Sequence, residues 1–112
     1  PEPANQVNSL RLEPNPFSPD GDGREDRLFI SYSFDDPNYM LRVRIFDRQG
    51  RHIRTLADSH HAGFEGSLTW DGRNADGVTG RIGIYIVHIE AFNSSTGDKK
   101  QFKEVAVLAR QF

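Results

Sequence analysis

From Leu28 onward, side chains in this sequence switch between apolar and polar surroundings at nearly every residue. Leu28, Ile30, Tyr32 and Phe34 fall on one side of an extended backbone, with Phe29, Ser31 and Ser33 on the other. Leu41, Val43 and Ile45 repeat the pattern against Arg42, Arg44 and Phe46, and Tyr85, Val87, Ile89 and Ala91 repeat it again. A period of two marks a strand with one buried face; an amphipathic helix would need a period of 3.6. Turn residues separate the runs. The stretch Asn15-Pro16-Phe17-Ser18-Pro19-Asp20-Gly21-Asp22-Gly23 cannot be a helix interior, and Asp35-Asp36-Pro37-Asn38, Asp47-Arg48-Gln49-Gly50 and Asn74-Ala75-Asp76-Gly77 all read as turns. Strands are therefore expected over residues 7–13, 26–34, 40–46, 51–56, 67–70, 84–92 and 101–109, with a polar loop over 57–66.

Seven or eight short strands at this spacing imply an all-β, two-sheet sandwich of the Ig-like kind, mostly antiparallel. The 112 residues suit one such domain, and twelve aromatics (one Trp, three Tyr, eight Phe) supply bulk for a core. The expected core is Leu28, Ile30, Tyr32, Val43, Ile45, Leu68, Trp70, Tyr85, Val87 and Ile89. Residues 1–6 carry two prolines and no apolar pattern and read as a linker, leaving 7–112 as the single domain. The net charge of −2 gives no push toward nucleic acid or an acidic membrane surface. With no cysteine, neither disulfides nor thiolate metal sites enter the argument. No run approaches the roughly 18 apolar residues of a membrane span. A start at Pro1-Glu2-Pro3 without Met or signal peptide suggests a fragment of a larger protein.

Three stretches in order give a resemblance. They are 13–26 (EPNPFSPDGDGRED), 43–51 (VRIFDRQGR), and Trp70-Asp71-Gly72 through Asp76-Gly77 to Gly83-Ile84-Tyr85. This arrangement resembles the Ig-like domain of flagellar hook-capping proteins and, equally, the C-terminal domains of proteins secreted by Bacteroidetes-type bacteria. The resemblance covers residues 13–109. It implies a seven-stranded sandwich within a large exoprotein, read as a signal by the type IX secretion machinery. It also marks structural positions. Pro14 and Pro16 would hold an extended entry at a sheet edge, since neither can donate a backbone hydrogen bond. Phe17 would plug one end of the sandwich, Gly50 would take positive φ in a hairpin, and Trp70 would cross the core with its indole N–H seeking a partner. Gly83 would bend the chain before Tyr85, whose hydroxyl would reach an upstream carbonyl as in a tyrosine corner.

Asp20, Asp22 and Asp26 are the candidate metal ligands, for calcium, because alternating carboxylates can present several oxygens to one point. The spacing departs from an EF-hand, with Arg24 and Ser31 where that loop has oxygen ligands. The preferred reading is that Asp-Gly-Asp-Gly builds turns and no cofactor is held. Asp71 and Asp76 form a second, weaker acidic pair. His60 and His61 are neighbours in the expected loop and, like His52 and His88, read as exposed rather than as zinc ligands. There is no Gly-x-Ser-x-Gly elbow and no paired nucleophile and base, so the chain is not expected to be an enzyme.

Arg42, Arg44, Arg48, Arg51 and Arg54 fall within a short span. With Leu41, Val43 and Ile45 facing the core, Arg42, Arg44 and Phe46 form an outward basic stripe with one aromatic, the candidate partner-binding face. The competing reading, which is favoured, is a solvated sheet face whose arginines pair with nearby acids. The expected function is a non-catalytic C-terminal module of a larger secreted or surface-attached bacterial protein, acting in type IX sorting and cell-surface attachment. Its expected partners are secretion or cell-surface machinery proteins or neighbouring domains of the parent. The alternative is an accessory Ig-like module that supports a neighbour or binds surface glycans or proteins.

Overall fold

The computed structural model describes residues 9–19 and 26–109. It holds seven strands: β1 (Ser9–Glu13), β2 (Leu28–Ser33), β3 (Tyr39–Asp47), β4 (His52–His61), β5 (Glu65–Trp70), β6 (Gly83–Asn93) and β7 (Lys99–Leu108). They form a three-stranded sheet in the order β1-β2-β5 and a four-stranded sheet in the order β4-β3-β6-β7, with every pairing antiparallel. The two-sheet, all-β architecture expected from the alternation is the one observed.

The inward residues of both sheets meet in one core. Leu28, Ile30, Trp70, Ile45 and Val87 are wholly buried, and Tyr32, Val43, Tyr85 and Ile89 nearly so. Of the expected core only Leu68 stays partly open, on the edge strand β5. Each large apolar side chain removed from water contributes roughly 1.5–3 kcal/mol, so this set is the main driving force for folding.

Residues 57–66 are not the polar loop that the sequence suggests. β4 runs on to His61 and β5 begins at Glu65, so His60 and His61 sit on a strand. The physical reason lies in the β3–β4 pairing. Its register shifts at three places, and Ser59 takes a positive φ of 58°. An irregular edge strand loses strict alternation, so its partly buried residues (Ile53, Leu56, Ala57) do not follow a period of two. The same irregularity leaves a poor template for another strand on that side of the sheet.

Candidate binding face and its supports

The first motif closes one end of the sandwich. The Glu13–Pro14 and Asn15–Pro16 peptide bonds are both cis. Pro16 is exposed, whereas Phe17 is fully buried with its ring 5.4 Å from that of Trp70. Trp70 in turn meets Tyr85 edge-on at 5.2 Å. Each polar tip has a partner. The Trp70 indole N–H donates to the Arg73 carbonyl at 2.9 Å, and the Tyr85 hydroxyl to the Arg81 carbonyl at 2.7 Å. Burial pushes the Tyr85 hydroxyl above its ordinary pKa. Gly83, with φ of 150°, starts the strand that carries Tyr85.

Asn15 joins this end to the last strand. Its side-chain N–H donates to the Val105 carbonyl at 2.8 Å, and its side-chain oxygen accepts from the Val107 N–H at 2.9 Å. Phe17 continues the pairing: its N–H donates to Val107 and its carbonyl accepts from the Ala109 N–H. One side-chain amide thus serves the β7 edge as a strand residue would, satisfying groups otherwise left to water.

Gly50 ends the β3–β4 hairpin with φ of 86°. Asp47 anchors that turn. Its carboxylate accepts from the backbone N–H groups of Gln49 and Arg51 at 2.9 Å and from the Arg51 side chain at 2.8 Å. The Arg51 backbone hydrogen bond is the leading reason its carboxyl is held below the ordinary Asp pKa.

β3 sends Val43 and Ile45 into the core and Arg42, Arg44 and Phe46 to the outer face of the four-stranded sheet. The register with β6 sets Arg42 opposite Glu90, Arg44 opposite His88 and Phe46 opposite Ile86. Glu90 accepts from Arg44 at 3.2 Å and pairs with Arg42 at 3.5 Å, and Arg42 also reaches Asp58 at 3.6 Å. The same Arg44 Nη2 also lies 3.2 Å from His88 Nδ1, and the guanidinium stacks over the Phe46 ring at 5.4 Å. The rings of His52 and His88 flank Phe46 at 5.7 and 6.3 Å. The Arg44 Nε is buried without a hydrogen-bond partner among the described residues, so Arg44 is not optimised for stability alone. Beside it lies an open cleft of about 520 Å³, floored by Phe46, Ile86 and Val105 and flanked by Arg48 and Lys103. Neither of these two cations has an ion-pair partner among the described residues.

The candidate calcium ligands are only partly in view: Asp26 stands half-buried ahead of β2, while Asp20 and Asp22 lie outside the described residues. Asp71 of the weaker pair accepts from the Arg54 side chain and the Arg73 N–H, both at 3.1 Å. Among the described residues no three His, Asp or Glu side chains converge as a metal site would require. Reading along the chain missed His88, Glu90, Ile86, Lys103 and Val105, which complete the outer face from β6 and β7. The strand order, which pairs β3 with β6 and β6 with β7, is what puts them beside Arg44.

The fold has counterparts among solved structures. Dimeric latent PorU from Porphyromonas gingivalis superposes with a TM-score of 0.67 at 20% identity, over 94% of this chain and 9% of PorU. The chain thus spans less than a tenth of PorU's length. Weaker likenesses, each with a TM-score of 0.49, are to PorZ, a surface component of the type IX secretion system of the same organism, and to CopC from Methylosinus trichosporium OB3b. The PorZ match is 19% identical over 91% of this chain and 12% of PorZ; the CopC match is 15% identical over 93% and 97%. No curated protein matches the sequence. Residues 12–105 match a family model, and the stretch runs from the proline entry to the strand that Asn15 clasps; the chain belongs to the CHU_C family of type IX secretion signal domains.

Proposed function

We propose that this domain works as a non-catalytic sorting module whose outward four-stranded face, with Arg42, Arg44 and Phe46 at its centre, meets a protein of the secretion or cell-surface machinery. Family membership supplies the setting: a type IX secretion signal belongs to secreted or cell-surface proteins. The carrying observation is the Arg44–Phe46–His88 cluster. It stands on the solvent side of a sheet whose inner face already completes the core, and it leaves a buried guanidinium nitrogen unpartnered. The buried core lies on the other side of the sheet and does not include the cluster. Arginine and aromatic side chains together are the side chains that anchor protein interfaces. The acids on Arg42 and Arg44 keep the free face soluble and hold the two guanidiniums in place.

The test is a fusion of the domain to a periplasmic reporter in a type IX-competent host. The native domain should deliver the reporter to the medium or cell surface. The Arg42→Ala/Arg44→Ala/Phe46→Ala variant should retain it in the periplasm while melting within a few degrees of the native domain. Undiminished export of that variant would remove this face from the function. Retention of the native fusion would turn the reading toward an accessory supporting or adhesive module.

A further inference from the structure

The last strand has two unlike edges along its length. β7 pairs with β6 over ten consecutive residues without a register shift. Among the described residues its other side is covered only in the C-terminal part, by Asn15 and Phe17 at Val105, Val107 and Ala109. In an antiparallel ladder, backbone groups point alternately toward one neighbour and the other. Since those of Val105 and Val107 face away from β6, those of Gln101 and Lys103 do too. Among the described residues nothing pairs with them. The strand is straight here, and it has neither a bulge nor a proline to spoil it as a template.

Side chains decide what can pair there. Lys99, Lys103 and Val105 lie opposite Phe92, His88 and Ile86, which puts them on the outer face. Lys99 rests on the Phe92 ring at 6.0 Å, and neither lysine has an acidic partner among the described residues. A second copy of β7 is a poor occupant. Antiparallel pairing centred on Gln101 would oppose Lys99 to Lys103 twice, and like charges directly opposite one another destabilise a sheet. Val105, about half exposed, offers the one apolar seat of the row, next to Phe46 and Ile86.

We propose that the open edge of β7 from Lys99 to Lys103 takes up an extended segment of a protein partner as a fifth strand. Two acidic residues of that segment, four apart, lie opposite Lys99 and Lys103, and an apolar residue beyond them packs on the outward side chain of Val105, whose backbone carbonyl Asn15 already holds. Backbone hydrogen bonds to Gln101 and Lys103 supply register, and the alternate side chains supply selectivity. This deepens the reading of the outer face as a protein-binding surface and rests on it for the nature of the partner.

The test uses the folded domain, labelled for NMR, and two acetylated peptides: one alternating Glu and Thr with a Val near one end, the other with Lys in place of Glu. At a concentration about ten times its dissociation constant, the acidic peptide should slow amide exchange at Gln101 and Lys103 about tenfold. The basic peptide should leave both unchanged. Lys99→Glu/Lys103→Glu should reverse the preference. Lys103→Pro removes an outward N–H without touching the β6 ladder, so it should abolish protection while the domain stays folded. Equal protection by both peptides, or shifts confined to Ile86 and His88 with no amide protected, would overturn the proposal. So would saturable protection at the same amides by lipopolysaccharide micelles but not by the acidic peptide. Loss of export in the Arg42/Arg44/Phe46 variant with peptide binding intact would separate failure of one reading from failure of the other.

Discussion

At the aromatic end of the sandwich, Phe17, Trp70 and Tyr85 bury almost everything they carry and satisfy each polar tip within the domain. On the outer face of the four-stranded sheet, Arg42 stays about half exposed, Arg44 keeps an unsatisfied nitrogen, and Phe46 is only half-buried under a guanidinium. Both regions draw on the three sequence stretches that carry the resemblance. The first and third supply the aromatic end. The second divides along its strand: Val43 and Ile45 go inward, Arg44 and Phe46 outward. In this chain, membership of one sequence stretch does not separate core side chains from surface ones; the direction of each side chain does.

The contrast can be broken or sharpened by substitution. Trp70→Ala should cost about 3–5 kcal/mol, because a fully buried ring touching two others leaves a cavity that a two-sheet core cannot close. Thermal melting would show it as the loss of most or all of the native transition. Tyr85→Phe keeps the ring and removes only the bond to the Arg81 carbonyl, so about 1 kcal/mol is expected, or roughly 4–8 °C in Tm. Asp47→Asn should lower stability at neutral pH and lose that effect in acid. The native carboxyl has a folded pKa below its unfolded one, so its contribution is present above the ordinary Asp value and is lost as pH falls through the folded value. Urea midpoints measured downward from pH 5 should fall less steeply in the variant. Arg44→Met should shift stability by no more than about 0.5 kcal/mol in either direction, since Glu90 retains Arg42 and the buried, unpartnered nitrogen disappears. A large loss there would make Arg44 a structural residue and erase the contrast.

Much of the fold was legible because the inner faces of β2, β3 and β6 alternate without interruption, and strict alternation has one physical reading. β4 was misjudged beyond Leu56 because a bulged edge strand takes its order from its neighbour's hydrogen bonds and not from its own burial pattern. The outward placement of Arg42, Arg44 and Phe46 followed from the inward one of Leu41, Val43 and Ile45. What surrounds them did not. Glu90 lies 46 residues from Arg44 and His88 lies 44, and their meeting depends on β3 pairing with β6 rather than only with β4. Asn15 was harder still. An asparagine between prolines suggests a turn, and nothing local says that its amide substitutes for a strand on an edge 90 residues away.

The single tryptophan gives this domain an internal reporter at an informative place. Its ring is wholly shielded from water, with Phe17 on one side and Tyr85 on another. Any loosening of the segment that Asn15 and Phe17 pin to the final strand would admit solvent to the indole and red-shift its emission. Fluorescence from the unmodified chain can therefore follow, in real time, whether that seam opens when a partner protein is added.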